Sequence, residues 1–130
     1  MIVIDGESNF KKGEIYSCDK VGVRRIFSGF SYPTELDLDL FVYTDKKLIK
    51  CGWFNESTTR IYLYKLVKNQ FVVYAQENLE YFGDEDKLVH TYLIKGKTTT
   101  KSKYVKYLNK AIGKSKGINL ATLGYSVYGK

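Results

Sequence analysis

A chain of 130 residues, 44% hydrophobic and 27% charged, has the size and mix of one domain able to bury a core. Twelve Tyr and seven Phe against a single Pro argue against a disordered chain, and no apolar run nears the roughly 18–20 residues of a membrane span. The net charge of +7 divides unevenly: residues 1–87 carry 12 Lys or Arg and all 14 Asp and Glu, a net −2, whereas residues 88–130 carry nine Lys and no acid, a net +9. A charge divided in this way points to partners before it points to any reaction.

In chain order, residues 1–13 open with only four apolar residues before Asp5, too few for the centre of a secretory signal. Cys18 and Cys51 stand 33 apart with no Cys-x-x-Cys spacing, so two reduced, mostly buried thiols in a cytoplasmic protein are expected. Strand patterns rich in Val, Ile, Tyr, Phe and Thr follow at 14–18, 21–29, 36–43, 48–54, 60–67, 70–75 and 88–94. Within 36–43 the alternation is strict. Leu36, Leu38, Leu40 and Val42 share one face, and Asp37, Asp39, Phe41 and Tyr43 share the other. Residues 44–47 and the pair Lys68-Asn69 read as hairpin connections.

From Lys103, a turn of 100° per residue gathers Tyr104, Val105, Leu108, Ala111 and Ile112 on one side. Lys103, Lys106, Lys110 and Lys114 gather on the other, with Tyr107 among them. The spacing predicts one amphipathic helix over 101–113, capped by Thr100 or Ser102 and ended by Gly113 or Gly117. Residues 118–128 then read as a strand, with Gly124 at a bulge. Short, closely spaced strands with one-sided alternation predict a mainly β fold, an antiparallel β-sandwich with one C-terminal amphipathic helix. All 130 residues are expected to form a single domain, with 1–94 as the β-sandwich core and 95–130 adding the basic helix and the final strand.

Catalytic signatures are sparse. His90 is the only histidine and stands in an alternating strand, where a structural role is the more frequent one. Gly113-Lys114-Ser115 mimics the end of a phosphate-binding loop, but Leu108 occupies the position of the required first Gly. The piece also ends a helix instead of opening one, which excludes the motif. The carboxylates are more suggestive. Asp37 and Asp39 leave one strand face about 6–7 Å apart, and Asp84, Glu85 and Asp86 crowd the turn before the strand at 88–94. Convergence of the two groups would offer oxygen ligands to Ca²⁺, which takes roughly six to eight of them; solvated turns and pairing with Lys or Arg are the plainer reading.

Several short segments resemble, in their order, the first part of a TerD-type domain, the tellurite-resistance and stress-response family. They are Asn9-Phe10-Lys11-Lys12-Gly13, Val23-Arg24-Arg25-Ile26-Phe27-Ser28-Gly29-Phe30, Leu36-Asp37-Leu38-Asp39 and Gly52-Trp53-Phe54-Asn55. Gly83-Asp84-Glu85-Asp86 is similar to that family's acidic strand-entry segment, so the resemblance spans roughly residues 9–93. It implies a non-catalytic β-sandwich holding Ca²⁺ at Asp37, Asp39, Asp84, Glu85 and Asp86, in stress-response or phage-related functions. The chain departs from the family in length and in the segment 77–82, which replaces a glycine-rich stretch and removes expected ligands.

Lysines 95, 97, 101, 103, 106, 110, 114 and 116 form a run without a compensating acid. Such a run attracts polyanions by releasing their counterions. Lys101, Lys103, Lys106, Lys110, Lys114 and Lys116 are the candidate phosphate contacts, with Tyr107, and Tyr104 nearer the edge, as base-stacking residues. The competing readings are a solvated face, pairing with the acidic first 87 residues, and an anionic protein or membrane surface. No Arg follows Arg60, so binding of nucleic acid would be sequence-nonspecific. Two functions are therefore expected: a non-enzymatic TerD-like interaction protein, or a small nucleic-acid-binding accessory protein acting through residues 95–116.

Overall fold

The computed structural model describes residues 2–5, 11–31, 40–54, 57–82 and 87–119. Three strands, β1 (Ile2–Asp5), β2 (Lys11–Asp19) and β3 (Gly22–Ser31), form one antiparallel sheet in chain order. The second sheet contains β4 (Phe41–Tyr43), β5 (Leu48–Phe54), β6 (Thr58–Val67), β7 (Gln70–Phe82), β8 (Lys87–Ile94), β9 (Lys97–Thr99) and β10 (Ile118–Asn119). Its order is β10-β4-β5-β6-β7-β8-β9, antiparallel throughout and open at both ends. One helix, α1 (Lys101–Ile112), joins β9 to β10. The expected mainly β sandwich with a single amphipathic helix is therefore the architecture, and it is not a closed barrel.

Hairpin chemistry explains the meander. Val67 pairs with Gln70 across the two-residue loop Lys68-Asn69, and both loop residues have positive φ (49° and 62°). That left-handed pair matches the twist of the flanking strands. Lys95 and Gly96 (φ 49° and 77°) repeat the device between β8 and β9. Residues 44–47 turn through a short 3-10 helix at Thr44–Lys46, closed by Lys47 in the left-handed region. The strand expected over 70–75 runs on to Phe82, because its partners on β6 and β8 continue to pair with it. Strands β1 and β9 had no clear periodicity of their own; pairing with β2 and β8 makes them strands.

Side-chain alternation divides the large sheet between two cores. On one face Leu40, Val42, Ile49 and Cys51 pack with Phe27 of β3, joined by Ile15, Tyr64 and Phe71. Phe27 meets Tyr64 and Phe71 edge-on, each at 5.4 Å between ring centroids, the geometry that aromatic quadrupoles favour. On the other face Tyr43, Leu48, Leu63, Ala75 and Tyr92 pack beneath α1, which inserts Tyr104. Leu63, with no exposed surface, sits at the centre of the helix-covered core.

Cys51 is buried but Cys18 is exposed, which corrects the expectation of two mostly buried thiols. The reason is position. Cys18 lies near the β2–β3 hairpin end, where Val21 and Val23 are exposed as well, beyond the contact that Phe27 makes with the large sheet.

Two predictions follow from this packing. A Cβ on Gly117 would come 2.7 Å from Tyr43 Cε1 and 3.2 Å from Phe41 Cδ1. Those rings are stacked on each other, and Tyr43 is buried, so neither yields easily. Gly117→Ala should cost about 1–3 kcal/mol in urea unfolding. Burial raises the Cys51 thiol to about 12, and burial with the nearby Cys51 and Tyr62 raises the Tyr64 phenol to about 12. Groups that hold their protons longer when folded contribute stability that is complete below the unfolded pKa and is lost above it. Stability should therefore fall from pH 9 upward, as the Cys51 thiol ionises in the unfolded chain, and Cys51→Ala should flatten the first part of that fall in denaturant titrations.

Candidate functional site

The helix is set by its cap and its inner face. Thr100 adopts extended backbone angles, and its hydroxyl accepts from the Lys103 amide at 3.3 Å. Gly113 closes the other end with positive φ (59°), its amide donating to Asn109 O at 2.8 Å. Tyr104, Tyr107, Leu108, Ala111 and Ile112 form the inward stripe. Their spacing of i, i+3, i+4, i+7 and i+8 is the one a helix lying on a sheet requires.

Two side chains thus exchange the places expected for them. Val105 is 42% exposed and Tyr107 packs toward the sheet. Tyr104 is 2% exposed, which removes it as a stacking platform for a base. Burial, then the charge of Glu77 and the neighbouring Tyr92, raises its phenol. The stripe centres on Tyr104 and Ala111, leaving Val105 about a quarter turn away, because the helix meets the sheet through its tyrosines and not through its β-branched residue.

The outward side is cationic. Lys95, Lys97, Lys101, Lys103, Lys106, Lys110, Lys114 and Lys116 are all exposed. Among the described residues none of the eight is held in an ion pair. The one side-chain bond from this segment to the acidic part runs from the Ser115 hydroxyl to Asp45, and it involves no lysine. Lys101 and Lys103 occupy the first turn, where the helix dipole is already positive and no acid offsets it. Each such charge costs about 0.3–1 kcal/mol at low ionic strength. A shallow surface on the same side is lined by Lys101, Ser102, Val105, Lys106 and Asn109.

Where α1 crosses the sheet, a cavity of about 350 Å³ opens among Lys46, Leu48, Lys65, Tyr74, Tyr107, Lys110 and Ala111. Tyr74 is the extra residue of a β-bulge. Leu63 pairs with Ala75 and Tyr64 with Val73, so Tyr74 has no partner on β6. Its carbonyl instead accepts from the Lys95 amide at 2.8 Å, in the β8–β9 turn. The ammonium groups of Lys65 and Lys95 lie 5.4 and 5.5 Å from the centre of its ring. Desolvation, and then the nearby Tyr74, raises the Tyr107 phenol.

His90 belongs to a different arrangement on the same sheet face. Its Nε2 is 2.5 Å from Glu77 Oε1, and the Tyr92 hydroxyl is 3.0 Å from its Nδ1. The His90 and Tyr92 rings stack at 4.4 Å, and Tyr92 in turn packs on Tyr104. The chain Glu77–His90–Tyr92 thus runs under the N-terminal half of α1 and supports its docking.

Of the residues singled out in the sequence, Lys101, Lys103, Lys106 and Lys110 share the exposed side of α1. Lys114 and Lys116 follow in the turn, and Tyr107 moves to the cavity. Asp37, Asp39, Asp84, Glu85 and Asp86 lie outside the described residues, as does Gly124. Among the described residues no group of three His, Cys, Asp or Glu side chains could hold a metal ion. No described helix is long and apolar enough to cross a membrane. Lys46, Lys65 and Tyr74 escaped the sequence analysis because they stand in different strands and turns; strand pairing gathers them, with Leu48 opposite Lys65 and Lys65 opposite Val72, and α1 adds Tyr107 and Lys110. Compared with family models, curated proteins and solved structures, the chain matches none.

The Thr100 cap is the device that starts the cationic helix. Thr100→Ala should lower stability by about 0.5–2 kcal/mol in urea unfolding, and Thr100→Ser should restore most of the loss.

Proposed function

We propose that the protein is a non-catalytic binding module whose partner is nucleic acid, taken through its phosphates on the exposed side of α1. The observation that carries this reading is the unpaired state of the lysines. Eight exposed ammonium groups on residues 95–116 have no carboxylate partner among the described residues, although the preceding part of the chain is acidic. Among the described residues, intramolecular pairing, the main competing explanation of the charge division, is not seen at these lysines. A basic row on a rigid helix offers phosphate contacts without base readout, and the absence of Arg beyond Arg60 suits nonspecific binding. The exposed Val105, set among Lys101, Ser102, Lys106 and Asn109, adds an apolar contact for an unstacked base.

The TerD-type resemblance concerns residues 9–93, away from this surface. Its calcium ligands fall outside the described residues, and nothing in the nucleic-acid reading depends on them.

The test is a salt series. Four to six phosphate contacts to a single strand should give a slope of log K against log salt of about −3 to −4. Replacing Lys101, Lys103 and Lys106 together by Gln should reduce its magnitude by about 2. Fluorescence anisotropy with single- and double-stranded 12-mers would measure both. No binding at low salt, or a slope indifferent to the triple replacement, would overturn the reading.

A further inference from the structure

The cavity under the last turns of α1 differs in kind from the exposed lysine row. Lys46 comes from the turn after β4, Lys65 from β6 and Lys110 from α1. Three elements distant in sequence thus contribute a lysine each to the lining of one cavity. Among the described residues that line it there is no carboxylate, and none of the three lysines is in an ion pair. Three lysines around one cavity, with no carboxylate in its described lining, make a place that favours an anion. The rest of the lining is apolar or aromatic: Leu48 and Ala111 with the rings of Tyr74 and Tyr107. Its volume lies near the lower end of small-ligand sites, which run from about 300 to 1,000 Å³.

We infer that this cavity takes a nucleotide carrying a phosphomonoester, with the phosphate among Lys46, Lys65 and Lys110 and the sugar or base against Tyr107 and Tyr74. Three cations suit a dianionic phosphomonoester better than the single charge of an internal phosphodiester. The bulge at Tyr74 is the positioning feature. It turns that ring toward the helix side and ties it, through its carbonyl, to the β8–β9 turn. The same chemistry is offered by the phosphorylated end of a strand and by a free nucleotide. In its first form the inference rests on the nucleic-acid reading above and makes the protein selective for strand ends.

Two arms separate these sources. In the first, a 12-mer with a 5′-phosphate is compared with the same 12-mer ending in a hydroxyl, at fixed salt. The expected result is about tenfold tighter binding of the phosphorylated strand. Lys46→Gln and Lys65→Gln should each remove most of that difference while leaving the hydroxyl-ended strand unchanged. Lys46 is exposed, so its replacement leaves the fold intact, and circular dichroism checks both variants.

In the second arm, uridine monophosphate, uridine and inorganic phosphate are titrated calorimetrically against the whole chain. Binding of the monophosphate but not of uridine, weakened by Lys65→Gln, supports the site for a free nucleotide even if neither strand binds. Phosphate binding as well as the monophosphate would mean that the rings contribute nothing, and would overturn the aromatic half of the inference. Equal affinity for both strand ends together with no monophosphate binding would overturn the site altogether. If the strands still bound with the salt slope set by Lys101, Lys103 and Lys106, the proposed function would survive that failure.

Discussion

Strands β4, β5 and β6 of the seven-stranded sheet carry apolar side chains on both faces, and the rest of the molecule is arranged around that constraint. Along β4 and β5 successive side chains point to opposite faces, so Leu40, Val42, Ile49 and Cys51 demand one cover and Tyr43 and Leu48 demand another. The small sheet supplies the first cover through Phe27, and α1 supplies the second through Tyr104. Because the covers differ, so do the surfaces they present outward. Strands cover one side, whereas the helix that covers the other carries its lysines away from the core.

The same constraint accounts for the cavity. A cylinder laid across a twisted sheet touches it along a limited line, and the contact here is centred on Tyr104, Leu63 and Tyr92. Toward the end of α1 the helix and the β6–β7 hairpin diverge, and the space between them is bordered by Lys110 above and Lys46 and Lys65 below. The bulge at Tyr74 falls at this place and fills part of the gap with an aromatic ring. The proposed phosphate site is thus a by-product of how the helix docks, sharpened by a register shift.

Much of the fold was legible along the chain. Alternation located β5, β6 and β8 within a residue or two, and the two-residue loop at Lys68-Asn69 proved to be the left-handed hairpin expected of it. Of the two caps offered, Thr100 and Ser102, the structure uses Thr100, and the helix itself was equally plain. Its inner face was less so. Val105 has the hydropathy of a core residue and Tyr107 that of an edge, but docking onto a sheet selects the narrow i, i+3, i+4, i+7 stripe over total hydropathy. Strand β9 was invisible for another reason: three residues carry no period, and pairing with β8 decides their conformation.

The sequence by itself determined most of β2, β3, β5, β6 and β8, the amphipathic helix and the confinement of the basic excess to residues 88–130, because these depend on local periodicity and composition. Only the tertiary structure decided which lysines lie exposed on α1 and which line the cavity. Side chains 46, 65, 74 and 110 are linked by no local pattern: strand pairing gathers the first three, and the crossing of one helix over the sheet adds the fourth. The +7 of the chain is accordingly an acidic first part and a basic helix that, among the described residues, make no ion pair with each other. Among the described residues the docked side of α1 is aromatic and aliphatic and its lysines stay exposed, because only packing against the sheet decides which side of the helix is covered.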